Sequence, residues 1–379
     1  MSYGADIARS VRRYAPEDKP ALREFQIEYF GPHSRQCDDA YFDWLFVKNP
    51  YQEPGRPTLW ICKRDGVVLG QQASIPVLLK AGAFHYKAAW GMDLMVRTEW
   101  RLKGVAPALS AAFEQSAEVL LGQGMSEAAH RAFMRRGWTD MGMLPVLVRP
   151  LDPAVCARTP HAPRVTRLTP RFATRGSASL AGLAFGRLAG FTLEPIAAFD
   201  EGVDRVWSLA SGDYPVLVKR DLSYIRWRFD EIPGETGYRR YYLKRKGEVL
   251  GYAVVRHEPW RGGTVGRVID YLAPQRCLRP LFALLIRELD SQGVAAVLLE
   301  QLHRGAQPIL RSVGCFGAPV ATRFIFEARE GAAPARGLLS TAGSWLLSTA
   351  DSDLDHEASY RPTAAGTLSV RPEPESSSA

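Results

Sequence analysis

Positions 91–106 read Gly-Met-Asp-Leu-Met-Val-Arg-Thr-Glu-Trp-Arg-Leu-Lys-Gly-Val-Ala. The apolar stretch predicts a strand ending at about Val96, followed by a short loop, with Arg101, Leu102, Lys103, Gly104, Val105 and Ala106 opening a helix. The first N–H groups of a helix lack intrahelical acceptors and sit at the positive end of the macrodipole, so such a turn suits a phosphate. Gly104 lets a pyrophosphate approach the main chain, Ala106 keeps the next turn small, and Arg101 and Lys103 add positive charge. The chemistry on offer is the binding of an anionic ligand beside an acidic residue, Asp93.

The elements that must position this turn occur twice. Tyr41, Trp44, Phe46 and Pro50 form Y-x-x-W-x-F-x-x-x-P, and Tyr224, Trp227, Phe229 and Pro233 repeat it 183 residues later (224 minus 41). Asp65-Gly66-Val67-Val68-Leu69-Gly70 is answered by Lys246-Gly247-Glu248-Val249-Leu250-Gly251, each a tight turn entering a strand. Asp93 aligns with Asp270, and Gly137-Trp138 with Gly314 to Phe316. The chain therefore reads as a tandem duplication in which each unit is a complete domain. In the first unit (1–150) we expect a strand over 11–14, a helix over 18–29 and strands over 58–63, 67–79 and 84–96. A helix over 104–118, a strand over 119–122, a helix over 127–135 and closing strands over 137–148 follow. The second unit (191–330) repeats the order, with strands over 238–244, 249–256 and 264–270, a helix over 278–291, a strand over 294–299, a helix over 306–313 and a strand over 321–327. The fold class is α/β (α+β), each unit a mixed, mainly antiparallel sheet flanked by helices. A linker over 150–176 and a helix over 177–190 connect the units, and the extension 331–379 is expected to be disordered from about 361.

Composition agrees with a folded two-domain chain: 379 residues, 46% hydrophobic and 23% charged. No apolar run reaches the roughly 18 to 20 residues of a membrane span and positions 1–11 carry no apolar leader, so the expected location is cytoplasmic. The five cysteines are scattered, without the pairing or histidine neighbours of a zinc site, and read as reduced buried thiols with no metal. A net charge of +8 suits an anionic ligand. The arginines form no aromatic-interleaved stripe, so charge alone does not choose between the phosphates of a coenzyme and nucleic acid, and nucleic acid is not the expected partner. Asp351, Asp353 and Asp355 alternate in the C-terminal extension, and we read them as a capped, solvated turn rather than a cation site.

Val96 to Ala106, V-R-T-E-W-R-L-K-G-V-A, resembles the acyl-CoA motif of the GNAT N-acyltransferases, V-x-P-x-x-R-x-x-G-x-G/A, with Thr98 in the proline position. The stretch from Ser126 to Trp138 resembles that family's N-x-x-A-x-x-x-Y-x-x-x-G-F. The resemblance implies two tandem acyl-CoA N-acyltransferase folds, with acetyl-CoA or another acyl-CoA as co-substrate and an amine-bearing small molecule or sugar nucleotide as acceptor. It implies that Leu94, Met95 and Val96 pair with the pantetheine arm and that Arg101 to Ala106 hold the pyrophosphate, with Ser126 and Phe133 at the second motif. Transfer to an amine requires loss of its proton. Asp93 is the first candidate to take it, with Glu99, Glu127 and His130 behind. Phe133 stands where a proton-donating tyrosine is common, and Ser126 replaces asparagine.

In the second unit the matching segment, 271–280, contains no glycine and includes Pro280, so the expectation there is a degenerate copy without a coenzyme site. The aromatic motif, present in both copies, reads as packing. Two further readings carry the same fold: a non-catalytic binding protein, and a Fem-type aminoacyl-tRNA-dependent transferase. Nothing in the sequence sets an oligomeric state.

Overall fold

The structure is a computed structural model and describes residues 3–152, 185–186, 189–234, 236–260 and 263–359. The expected linker beyond residue 152, most of the expected helix over 177–190 and the tail from 361 lie outside the described residues. The first half contains α1 (Tyr3–Arg9), β1 (Val11–Arg13), α2 (Lys19–Phe30), α3 (Asp39–Phe46), β2 (Leu59–Arg64), β3 (Val67–Ala81), β4 (Phe84–Val96), α4 (Val105–Phe113), β5 (Val119–Gln123), α5 (Glu127–Arg135) and β6 (Thr139–Pro150). The second contains β7 (Phe191–Ile196), α6 (Gly202–Ala210), β8 (Val216–Val218), α7 (Leu222–Ile225), β9 (Tyr238–Arg245), β10 (Glu248–Trp260), β11 (Gly263–Leu272), α8 (Gln275–Ser291), β12 (Ala296–Leu302), α9 (Ala306–Ser312) and β13 (Phe316–Ala328). The chain then adds α10 (Arg336–Leu339), β14 (Trp345–Ser348) and α11 (Leu354–Ser359). Among the described residues no helix is long and apolar enough to cross a membrane.

The mixed, mainly antiparallel sheet expected from the sequence is present, with helices packed against it. Its strands run β1-β2-β3-β4-β5-β13-β6-β12-β11-β10-β9-β7, so the order from either end is the same up to the middle. There the halves interlock. The last strand of the second half, β13, pairs with β5 of the first, and β6 of the first pairs with β12 of the second. This corrects the expectation that each copy is a complete unit, because each sheet is finished by a strand of the other half. The closing strands expected over 137–148 are one strand, β6. The helix expected to reach 118 stops at Phe113, where Glu118 N–H instead donates to Lys87 O on β4.

The repeated aromatic motif packs on itself. Trp44 and Trp227 are both buried and stack 4.7 Å apart with their planes 9° apart. Each indole N–H donates to the other residue's carbonyl, at 2.7 and 2.8 Å. Two buried donors are thereby satisfied by one reciprocal contact, which a two-fold relation between the halves allows. Three cysteines, Cys62, Cys277 and Cys315, are buried, and that burial pushes their thiols above the usual range.

The three alternate aspartates are not a solvated turn, which corrects the sequence reading. Asp351 Oδ2 accepts from Arg220 at 2.9 Å, Asp353 Oδ2 accepts from Arg35 at 2.8 Å, and Asp355 pairs with Arg228. Asp351 and Asp355 are buried. One arginine comes from the first half and two from the second, so the C-terminal segment ties both together.

A separate buried acid sets an acid limit. Asp18 is fully buried, which raises its pKa, yet Arg12 at 2.5 and 2.6 Å, Lys63 at 2.9 Å and the Ala15 N–H outweigh this and hold it at about 2. Its folded pKa is depressed, so the stability it contributes is present above about pH 4 and lost as pH falls towards 2. Asp18→Asn should cost about 2 kcal/mol at neutral pH and progressively less below pH 4, read from urea midpoints of both proteins across that range.

Candidate active site

Strands β4 and β5 are parallel and pair only through Ala88, Ala89 and Trp90 with Val119, Leu120 and Leu121. Beyond that point Gly122 and Gln123 pair with β13, while β4 continues to Val96 against β3 alone. The two strands fork, and the edge carrying Leu94, Met95 and Val96 has no strand partner on that side among the described residues. β4 also bulges, since Gln71 faces Met95 but Ala73 faces Met92. The extra residue places Asp93 in the left-handed region, with φ 50°. A residue with a β-carbon pays about 1 to 2 kcal/mol for this, and aspartate is among the types that tolerate it.

Asp93 lines a cavity of about 10 Å³ together with Gln26, Gln36, Tyr41 and Gln71. That volume is about enough for one water. Gln36 Nε2 donates to Asp93 Oδ1 at 3.2 Å, and Gln26 Nε2 donates to Gln71 Oε1 at 3.3 Å. The counterpart Asp270 is held quite differently. It is buried and accepts from Arg220, from Tyr252 OH at 2.7 Å and from Ser348 Oγ at 2.7 Å. One acid is locked in an ion network and the other faces a cavity beside the fork.

After Val96 a short 3-10 turn, Thr98–Trp100, leads to the predicted loop. Leu102 has φ 61° and Gly104 φ 87°, and α4 begins at Val105. The N–H groups of Leu102, Gly104, Val105 and Ala106 have no acceptor among the described residues. Arg101, Leu102 and Lys103 are exposed, Ala106 is half-buried, and Val105 is buried and anchors the loop to the core. A β-carbon at Gly104 would meet nothing within 4 Å. Glycine is thus required by backbone conformation, and the space in front of it is open.

The second motif divides. Ser126 caps α5, its Oγ accepting from Ala129 N at 3.3 Å, a role serine and asparagine share. The Phe133 ring lies 4.6 Å from that of Trp138 and belongs to the apolar cluster beneath α4. His130 Nε2 is 3.0 Å from Asp140 Oδ2, and Arg323 of β13 also binds that carboxylate. Burial raises the Asp140 pKa, but the Gly142 N–H, Arg323 and His130 together hold it below the usual range. Glu127 is exposed in the first turn of α5, and Glu99 is exposed before the loop. Among the described residues neither Glu127 nor His130 meets Asp93. Tyr41, Gln26, Gln36 and Gln71 were not picked out as site residues from sequence. A Gln71-Gln72 pair inside an otherwise apolar strand was the available signal.

The second half has the same fork, β11 and β12 pairing only from Val265 and Ala296 to Val268 and Leu299. Past it, β14 pairs with β12 at Gln301 and Leu302, and Ser348 of β14 bonds Asp270 on β11. The C-terminal strand therefore runs into the opening. At the start of α8 the Gln275 N–H already donates to Asp213 at 2.8 Å and the Cys277 N–H to Pro274 O at 2.7 Å.

A scan against protein-family models finds no match, and a search of curated proteins finds none either. Solved structures do match. A GCN5-related N-acetyltransferase from Anabaena variabilis ATCC 29413 aligns with TM-score 0.57 at 16% identity, over 84% of this chain and 72% of its own. One from Kribbella flavida aligns with TM-score 0.57 at 13% identity, over 86% of this chain and 72% of its own. The chain has the GCN5-related N-acetyltransferase fold.

Proposed function

We propose that the chain transfers an acyl group, acetyl being the simplest, from an acyl-CoA to an amine. The observation that carries this reading is the fork of β4 and β5 ending in a loop whose N–H groups at Leu102, Gly104, Val105 and Ala106 await an anion, on a GCN5-related fold. The pyrophosphate would take those N–H groups, with Arg101 and Lys103 beside it. The pantetheine amides would extend the sheet along the unpaired edge of Leu94 to Val96, directing the thioester towards the bulge. The amine nitrogen attacks the thioester carbonyl, the C–N bond forms, the C–S bond breaks, and the sulfur leaves with the electron pair. Asp93 takes the amine proton, directly or through one water in the cavity. Phe133 has no proton to give, so the thiolate leaves as such and is protonated by solvent. A thiol pKa of about 8 to 9, by analogy with cysteine, makes it an adequate leaving group.

Coenzyme A at about 100 times its Kd should stabilise the protein by roughly 2.7 kcal/mol, seen as a rise in Tm. The strands exchanged between halves predict that one cooperative transition moves. Gly104→Glu puts a carboxylate where the pyrophosphate would lie and should abolish the shift. Gly104→Ala carries the same left-handed strain without the charge and should keep most of it. Equal binding by Gly104→Glu and the natural chain would show the site to be elsewhere. Binding without any amine-dependent release of free thiol would leave a coenzyme-binding protein, not an enzyme.

A further inference from the structure

The last described segment, residues 353–356, packs beside the cavity of the first half through Tyr41 and Gly124. Leu354 packs on Gly124, just past β5: a β-carbon at Gly124 would lie 2.7 Å from Leu354 Cδ2. Arg35 donates to the Asp353 carboxylate at 2.8 Å and to its carbonyl at 3.2 Å, and its guanidinium sits 5.7 Å from the Tyr41 ring centroid. The Tyr41 hydroxyl lies 2.8 Å from His356 Nδ1, and the His356 ring meets Trp44 edge-on at 5.1 Å. Tyr41 lines the same cavity as Asp93. Residues 353–356 thus run from the end of β5 to Tyr41, one of the residues that line the cavity with Asp93.

His356 is fully buried. Burial first, and then the charges of Arg228, Arg35 and Arg256, keep it well below its ordinary pKa, so the imidazole is neutral at neutral pH. A neutral imidazole shares one proton with the Tyr41 hydroxyl whichever ring nitrogen carries it, and in both arrangements the phenolic oxygen is fixed in place. Buried, the phenol keeps its own proton, its pKa being raised by burial despite Arg35. A fixed neutral hydroxyl on a residue that lines one cavity with a carboxylate is a suitable partner for an incoming amine. It can accept from the N–H groups while the lone pair points at the thioester.

We propose that the segment Asp353 to His356 is the acceptor-side wall of the first half's site, that the Tyr41 hydroxyl contacts the incoming amine, and that His356 is the positioning residue that holds this hydroxyl beside Asp93. The inference rests on the acyl-transfer reading and deepens it: the second half matters to the reaction through the C-terminal segment that it anchors by Arg228 and Arg256.

The test uses the full chain, acetyl-CoA and hydroxylamine, a small nucleophile that is uncharged at mildly alkaline pH. Tyr41→Phe keeps the ring and removes only the hydroxyl. It should raise the KM for hydroxylamine about tenfold while the KM for acetyl-CoA stays within about twofold. His356→Leu should do the same, and the double variant should be no worse than either single one, since both remove one contact. His356→Asn, which places a hydrogen-bonding atom near the Nδ1 position, should restore most of the loss. An unchanged hydroxylamine KM in Tyr41→Phe overturns the proposal, as does a His356→Leu protein that melts lower but keeps its KM. If His356→Leu does not fold, Tyr41→Phe decides alone. A natural chain that binds coenzyme A yet transfers nothing to hydroxylamine also overturns it. Failure to bind coenzyme A strikes instead at the acyl-transfer reading.

Discussion

Asp93→Asn is expected to lower kcat for amine acylation by about 10² to 10⁴, the range for losing a general base, with coenzyme affinity nearly unchanged. The substitution suits the site for structural reasons. Asparagine tolerates the left-handed backbone that Asp93 adopts at φ 50°, and its side-chain oxygen can still accept from Gln36 Nε2. Shape and hydrogen bond are kept, and the capacity to take a proton is lost. Activity of the variant should then climb with pH, because the fraction of acceptor already deprotonated in solution grows and bypasses the missing base. Steady-state rates over a pH series, with coenzyme binding measured separately, check both parts. Full activity with an unchanged pH profile would remove Asp93 from the chemistry and leave a strained residue without an assigned role.

The same acid shows what a sequence can and cannot convey. The turn from Val96 to Ala106 was legible because every property it needs is local: an apolar strand, a glycine that adopts φ 87°, and a helix start whose N–H groups lack acceptors. The helix over 127–135 was legible for the same reason, as Ser126 caps it and Glu127 enters its first turn. The exchange of β6 and β13 was not. Neither strand carries a pattern that names its neighbour, and which neighbour each takes depends on partners roughly 150 to 200 residues away, as Gln123 with Thr322. The repeat itself encouraged the wrong inference, since equal copies suggest closed units. Nor could spacing reveal that Asp351, Asp353 and Asp355 are each taken by an arginine, because Arg35, Arg220 and Arg228 are brought there only by the tertiary fold. Asp93 and Asp270 align in sequence, and only φ, burial and neighbours, which the alignment does not carry, separate them. The Tyr41 ring packs as its motif suggests, but its hydroxyl faces a histidine supplied by α11, the last helix among the described residues.

Arg220→Met is expected to destabilise the protein by about 3 to 5 kcal/mol, the cost of leaving buried carboxylates without their cation. Arg220 and both of its acidic partners, Asp270 and Asp351, are almost wholly buried. The same two Asp270 oxygens also accept from Tyr252 and Ser348, neutral donors that cannot replace a charge. Even with Arg220 present, burial and the neighbouring Asp270 hold the Asp351 pKa above its ordinary value. In the variant the folded-state pKa of Asp351 should rise further above its unfolded value. A carboxyl with a raised folded pKa is favourable when protonated and becomes a cost as pH rises through that pKa, so the loss from Arg220→Met should be largest above neutrality and shrink on acidification. Chemical unfolding of both proteins over a pH series gives the difference directly. Because β14 inserts at the fork of β11 and β12, and β6 and β13 join the halves, the damage should appear as an earlier single transition rather than as melting of the second half alone. A variant that loses less than about 1 kcal/mol at every pH would mean that water reaches the acids and that this ion network does not hold the C-terminal segment in place.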